Sequence, residues 1–157
     1  MKVRVVAVGR VRGPLAGLVG EYEARAARYW KLEVREVVAG GKGGRAPPER
    51  VREAEAERLS AELPEGMDMV ALTRAGDPMT SAALASYLGG LAVGASPGVT
   101  FAIGGAFGLA PAILARAGRL LSLSAMTLPH EMARLVLAEQ LYRAGTIVRG
   151  EPYHKTP

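Results

Sequence analysis

The chain has no cysteine and two histidines, and none of the 38 residues from 78 to 115 is charged. Each scarcity excludes something. Without cysteine there is no disulfide framework, no thiol nucleophile and no zinc site of the cysteine-rich kinds. His130 and His154 alone do not make a histidine-based metal cluster, so no metal is expected. The uncharged stretch holds seven glycines and three prolines. A membrane-spanning helix wants roughly 20 mostly apolar residues in a row, and here Gly, Pro, Ser and Thr keep interrupting the run. It reads as the buried centre of a soluble fold, with no membrane partner. A secretory signal is also missing: positions 1–9, MKVRVVAVG, are too short and too charged for one and lack a small-residue cleavage site. The cytoplasm is the expected compartment.

What is present is a chain of 157 residues with 49% apolar and 22% charged residues. That balance excludes a disordered chain, and the length predicts a single domain over 1–157. The net charge of +5 fits an anionic partner such as nucleic acid, although charge alone is a weak pointer.

The pattern along the chain alternates strands and helices. Positions 2–8, KVRVVAV, turn fully apolar after a short alternation, as a strand buried on both faces does. A helix over 15–29 places Leu15, Leu18, Val19, Tyr22 and Ala26 on one stripe. Positions 32–38, LEVREVV, read as a strand with one wet face near a sheet edge. An Arg- and Glu-rich helix over 48–63 follows, with Val51, Ala54 and Leu59 as its sparse apolar face. A short strand at 67–72 leads into a turn at 73–79, and Thr80 or Ser81 caps a helix to about 93. The remaining elements are a strand at 99–103, a short helix at 111–117, a strand at 119–123 and a helix from Pro129 to about 144. Such alternation predicts an α/β fold, a mostly parallel sheet with helices on both faces. Ligands of open α/β sheets sit beyond the carboxyl ends of strands, here the loops after Leu72, Ile103 and Leu123.

Four segments carry candidate chemistry. The loop Gly40-Gly41-Lys42-Gly43-Gly44 lacks P-loop spacing; it is a surface loop or a mobile contact to RNA backbone. Gly104-Gly105-Ala106-Phe107-Gly108-Leu109 follows a buried strand and is either a tight structural turn or a ligand loop. It is not GxGxxG, which counts against a dinucleotide. The loop from Leu123 to Pro129 offers main-chain amides and the hydroxyls of Ser124 and Thr127 between apolar walls, where a purine could be read. His130 opens the next helix, where the dipole disfavours imidazolium, and it reads as a neutral structural residue. No GxSxG elbow supports a hydrolase pair with Ser124. Arg134, Arg143, Arg149, His154 and Lys155 interleave with Tyr142 and Tyr153, a composition suited to base stacking and phosphate contact or to a basic solvated tail. On these residues alone, an RNA-binding module without catalysis stays open.

The segments FAIGGAFGL (101–109), LSLSAMTLPHEMARLVLAEQLYRA (121–144) and GEPYHK (150–155), with VRVVAVGR at 3–10, closely resemble the ribosomal RNA large subunit methyltransferase H family. The family belongs to the SPOUT, or α/β-knot, superfamily, and the resemblance covers nearly the whole chain. It implies a deep C-terminal trefoil knot, at about 70–145 here, a rare exception to unthreaded connections. It implies that S-adenosylmethionine is held by Leu72, Gly104 with Gly105, Leu123, Ser124, Ala125, Met126, Thr127 and Leu128. It further implies a homodimer with the site completed across the interface, and a substrate, 23S rRNA within the ribosome, methylated at N3 of a pseudouridine in a stem-loop at the subunit interface.

N3 of a pseudouridine is a weakly acidic imide, so the protein must align it with the methyl carbon and favour loss of its proton. The tail is the expected source: His154 as base or orienting group, Arg143 and Lys155 favouring the anion and anchoring phosphates, Tyr153 stacking on or orienting the base. The sequence departs from the family pattern in three places. Arg74 stands where an acidic residue is frequent, Gly145 replaces a larger residue and is expected to loosen the end of the last helix, and the tail runs on to Pro157.

Overall fold

The computed structural model describes residues 1–41 and 44–155. Lys42 and Gly43 of the glycine loop, and Thr156 and Pro157 of the tail, lie outside the described residues. The strands are β1 (Lys2–Val8), β2 (Lys31–Val37), β3 (Asp68–Pro78), β4 (Gly98–Ile103) and β5 (Arg119–Ser122). The helices are α1 (Ala16–Ala26), α2 (Pro48–Glu62), α3 (Ser81–Val93), α4 (Pro111–Arg116) and α5 (His130–Val148). The strands form one sheet in the order β2-β1-β4-β3-β5, every pairing parallel. This is the expected α/β architecture.

Side chains alternate across a strand, and that period divides the core in two. Val3, Val5 and Ala7 of β1 and Val99, Phe101 and Ile103 of β4 face one side. There they pack with Ala26 of α1, Leu84, Ala85 and Leu88 of α3, and Leu137, Leu141 and Ala144 of α5. Val6, Val8 and Ala102 face the other side, against Ala56 and Leu59 of α2 and Ile113 of α4. All six residues of β4 are buried, as a central strand covered on both faces requires. The edge strand β2 is mostly exposed or half-buried. Thr80 caps α3, its hydroxyl accepting from the Ala83 amide at 3.0 Å.

Four expectations change. First, 73–79 is not a simple turn. β3 runs on to Pro78, its register on β5 shifting between Leu72 and Asp77. Gly76 makes this possible, because a Cβ there would lie 2.7 Å from the Leu120 carbonyl group. Second, Leu18 is exposed, and only Val19 and Ala26 of α1 are buried. Third, Glu55 and Ala56 of α2 are buried and Ala54 is not. Fourth, α5 extends to Val148, and Gly145 lies buried within it rather than loosening it. A Cβ on Gly145 would collide with Tyr29 Cγ and lie 2.5 Å from the Tyr29 Cβ. The small residue therefore lets Tyr29 pack against the helix while its hydroxyl donates to Glu151.

Arg134 is also reassigned. It is buried, and its guanidinium donates to Glu23 of α1 and Glu36 of β2, both at 2.8 Å. It ties three elements together and is not available to RNA.

Gly145→Ala should destabilise the protein by about 1–3 kcal/mol through overpacking on Tyr29. Gly90→Ala is the control. Nothing lies within 4 Å of a Cβ at that exposed helical position, and the change should stabilise by about 0.5–1 kcal/mol. Urea unfolding midpoints of the two variants check both signs.

Candidate active site

β3 lies between β4 and β5, so the loops leaving these three strands meet at one end of the sheet. They enclose a cavity of about 370 Å³, within the rough 300–1,000 Å³ span of small-molecule sites. Leu72, Gly104, Gly105, Leu123, Ser124, Met126, Thr127 and Leu128 line it, all singled out by the resemblance. Ala125 belongs to the same loop but is exposed and off the wall. Phe107 of the candidate ligand loop lines it too, as do Thr73, Arg74 and His130, which were not foreseen as ligand residues. A third of the His130 side chain is exposed, and Nε2 stands 3.5 Å from Glu131 Oε1.

The loop after β5 is shaped by its own serines. Ser122 Oγ donates to the Ser124 carbonyl at 3.0 Å, and Ser124 Oγ accepts from the Met126 amide at 2.9 Å. Ser124 thus shapes the loop through its acceptor side, and its hydroxyl proton has no acceptor among the described residues. The amides of Ala125, Thr127 and Leu128 have no partner among the described residues. Of these three residues Thr127 and Leu128 line the cavity, together with Leu72, Ile103 and Leu123, an apolar wall with amide donors that fits a purine ring.

The loop after β4 is drawn tight. A Cβ on Gly104 would lie 2.6 Å from the Gly108 carbonyl carbon, and the Gly108 amide donates to Gly105 at 3.1 Å. Behind Gly105 sits the Glu55 carboxylate, so close that a Cβ on Gly105 would approach Oε2 to 2.8 Å. Glu55 is 2% exposed; Oε2 accepts from the Gly40 amide at 3.0 Å, and Oε1 has no partner among the described residues. Composition gave no sign of this residue, since an Arg- and Glu-rich helix face is ordinarily wet.

The tail residues form a second cluster. Glu139 Oε1 accepts from Arg143 at 2.5 Å and from the Tyr153 hydroxyl at 3.2 Å, while Oε2 accepts from Gln140 at 2.7 Å. Tyr142 and Tyr153 pack with ring centroids 4.5 Å apart, and Arg143 lies 4.9 Å from the centre of the Tyr153 ring. Burial, then the Tyr22 contact and the Glu139 carboxylate, push the Tyr153 phenol far above its ordinary pKa, so it stays neutral. The hydrogen bond to Glu139 likewise raises the Arg143 pKa. His154 Nδ1 is buried without a partner among the described residues, and Lys155 is exposed. None of Arg143, Tyr153, His154 and Lys155 lines the cavity. Ala133 does, and Arg143 follows ten residues along the same helix, roughly 15 Å at helical rise.

The family model described as "Predicted SPOUT methyltransferase" matches residues 1–154. The chain belongs to that family. A relative from Gemmatimonas aurantiaca is 51% identical over 156 residues, covering 99% of this chain and 100% of the relative. One from Anaeromyxobacter sp. strain Fw109-5 is 47% identical over 156 residues, with coverage of 99% and 100%. One from Geobacter metallireducens is 43% identical over 155 residues, covering 98% and 99%. All three are named ribosomal RNA large subunit methyltransferase H. The earlier resemblance is therefore the chain's family, and this SPOUT methyltransferase has its cavity and its basic tail in separate places on one chain.

Glu55 tests how the glycine turn is supported. Glu55→Ala leaves the half-buried Gly40 amide without its acceptor and should cost about 1 kcal/mol. Glu55→Gln keeps an acceptor and removes a buried charge, and should match or exceed the parent in thermal melting.

Proposed function

We propose that the protein transfers the methyl group of S-adenosylmethionine to N3 of a pseudouridine in a stem-loop of 23S rRNA at the ribosomal subunit interface, acting as a homodimer. The observation that carries the reading is the pairing of a purine-sized slot with a distant basic, aromatic cluster. The names of the relatives support rRNA as the substrate. The family's trefoil knot, over about 70–145, belongs to the same reading.

When bound, the cofactor supplies a methyl group already activated on a sulfonium. The protein's own residues bind and orient. The amides of Thr127 and Leu128 would take the adenine edge, and Leu72, Ile103 and Leu123 would cover its faces. Tyr153, neutral and held by Glu139, presents a ring and a hydroxyl to the target base rather than acting as a base itself. His154, with Nδ1 unpartnered, is the candidate to take the N3 proton or to orient the imide. Arg143, fixed by Glu139, and exposed Lys155 favour the imide anion and hold phosphates.

None of Arg143, Tyr153, His154 and Lys155 lines the cavity of its own chain, which supports a second copy bringing its tail to the first copy's cavity. An uncharged, exposed face supports this reading. Positions 13–20 carry no charge, and all but Leu15 and Val19 are exposed, Leu18 among them. The turn at Gly13–Leu15 packs beside α5, whose Met132 is also exposed. Uncharged exposed faces of this kind mark interaction surfaces.

Deleting residues 150–157 should abolish methyl transfer and leave S-adenosylmethionine binding largely intact. A Gly104→Val chain should fail in the opposite way, losing the cofactor with its tail intact. Each is inactive alone. Mixed dimers of the two should regain activity, up to about a quarter of the parent when mixed equally, because half the dimers hold one complete site of two. No recovery in tagged, purified mixed dimers would place both halves of the site on one chain.

A further inference from the structure

Arg74 is the single residue of fixed charge among those lining the cavity, and no Asp or Glu lines it. It stands on the shifted part of β3, at the exposed rim, and its Nη1 donates to Thr127 Oγ1 at 2.7 Å. That bond joins the loop after β5 to the segment after Leu72, two of the three walls. Arg74 makes no ion pair with a described residue, and a guanidinium has five N–H donors, of which Thr127 uses one.

S-adenosylmethionine carries two positive groups, the sulfonium and the α-ammonium, and one negative group, the α-carboxylate. A wall with a guanidinium and no carboxylate repels the first two and attracts the third. With adenine in the apolar slot, the amino-acid end falls toward the polar rim. We propose that Arg74 is the specificity-determining residue for the amino-acid end of the cofactor, taking its α-carboxylate in a bidentate pair. The bond to Thr127 holds the guanidinium in place before the ligand arrives, which lowers the ordering cost of the pair. The inference rests on the cofactor reading of the cavity.

The test is a calorimetric titration of the whole protein with two ligands. One is S-adenosylmethionine. The other is its decarboxylated analogue, S-adenosyl-3-methylthiopropylamine, which keeps the adenosine, sulfonium and amine. The parent protein should bind the first at least about tenfold more tightly, as a charge-assisted pair implies. Arg74→Gln should erase that preference by weakening the first ligand alone, Arg74→Lys should keep part of it, and Arg74→Glu should reverse it. Melting curves of the variants should match the parent, since Arg74 is exposed. Equal weakening of both ligands by Arg74→Gln would make Arg74 a loop support and overturn the proposal. No change in either ligand, with weaker RNA binding, would make it a phosphate contact and also overturn it. A parent that binds S-adenosylmethionine without preference defeats the Arg74 inference alone. A parent that binds neither ligand defeats the cofactor reading itself.

Discussion

All five described strands point the same way, so the loops that leave β3, β4 and β5 leave from one end of the sheet. The cavity depends on this constraint. Parallel pairing of β3 with both neighbours sets three loops side by side, and the buried core of β4 fixes where the middle one begins. The shift of β3 on β5 then carries Thr73 and Arg74 onto the cavity wall. Ser122 and Ser124 hold the loop after β5 in a form that pairs the Met126 amide and leaves those of Thr127 and Leu128 without a partner among the described residues. Glu55 packs behind the glycine turn from the other layer. Loosening any one of these would open the slot without touching a group that meets a ligand.

Much of the positive charge in the last quarter is already balanced within the chain. Arg134 is buried between two glutamates and Arg143 is gripped by Glu139. Arg149 lies 4.6 Å from the centre of the Tyr29 ring and donates to the Arg28 carbonyl. The tail is thus a built cluster of Tyr22, Tyr29, Tyr142 and Tyr153 edged by arginines, rather than a loose basic arm. In the proposed dimer the second copy supplies this cluster to the first copy's cavity. The proposed pairing follows from the separation of cavity and tail and from the uncharged, exposed start of α1.

The sequence revealed most where burial alone decides. β1 and β4 were legible because continuous apolar runs have few other uses, and α3 because Thr80 has a free hydroxyl at the right place. The continuation of β3 was hidden because Thr-Arg-Ala-Gly-Asp-Pro has the composition of a turn, and only the approach of Gly76 to the Leu120 backbone lets it pair. Leu18 misled for a physical reason: a helical stripe reports apolar side chains, not which of them this chain covers. Arg134 and Glu55 misled in the opposite direction, since burial of a charge depends on partners more than 30 residues away for Glu23 and Glu36 and on the Gly40 loop for Glu55. The three cavity loops were legible from the strand ends, and the family's segments named residues within them. The role proposed for Arg74 was not legible, because its bond to Thr127 spans 53 residues.

The account turns on where the methyl group goes. Mass-spectrometric mapping of 23S rRNA, incubated with the pure protein and S-adenosylmethionine as free RNA and as whole ribosomes lacking the modification, measures it directly. The account predicts one added methyl group, on N3 of a single pseudouridine in a stem-loop at the subunit interface, in at least one of the two preparations. A methyl group on another base or on a ribose, or none in either preparation, would contradict it.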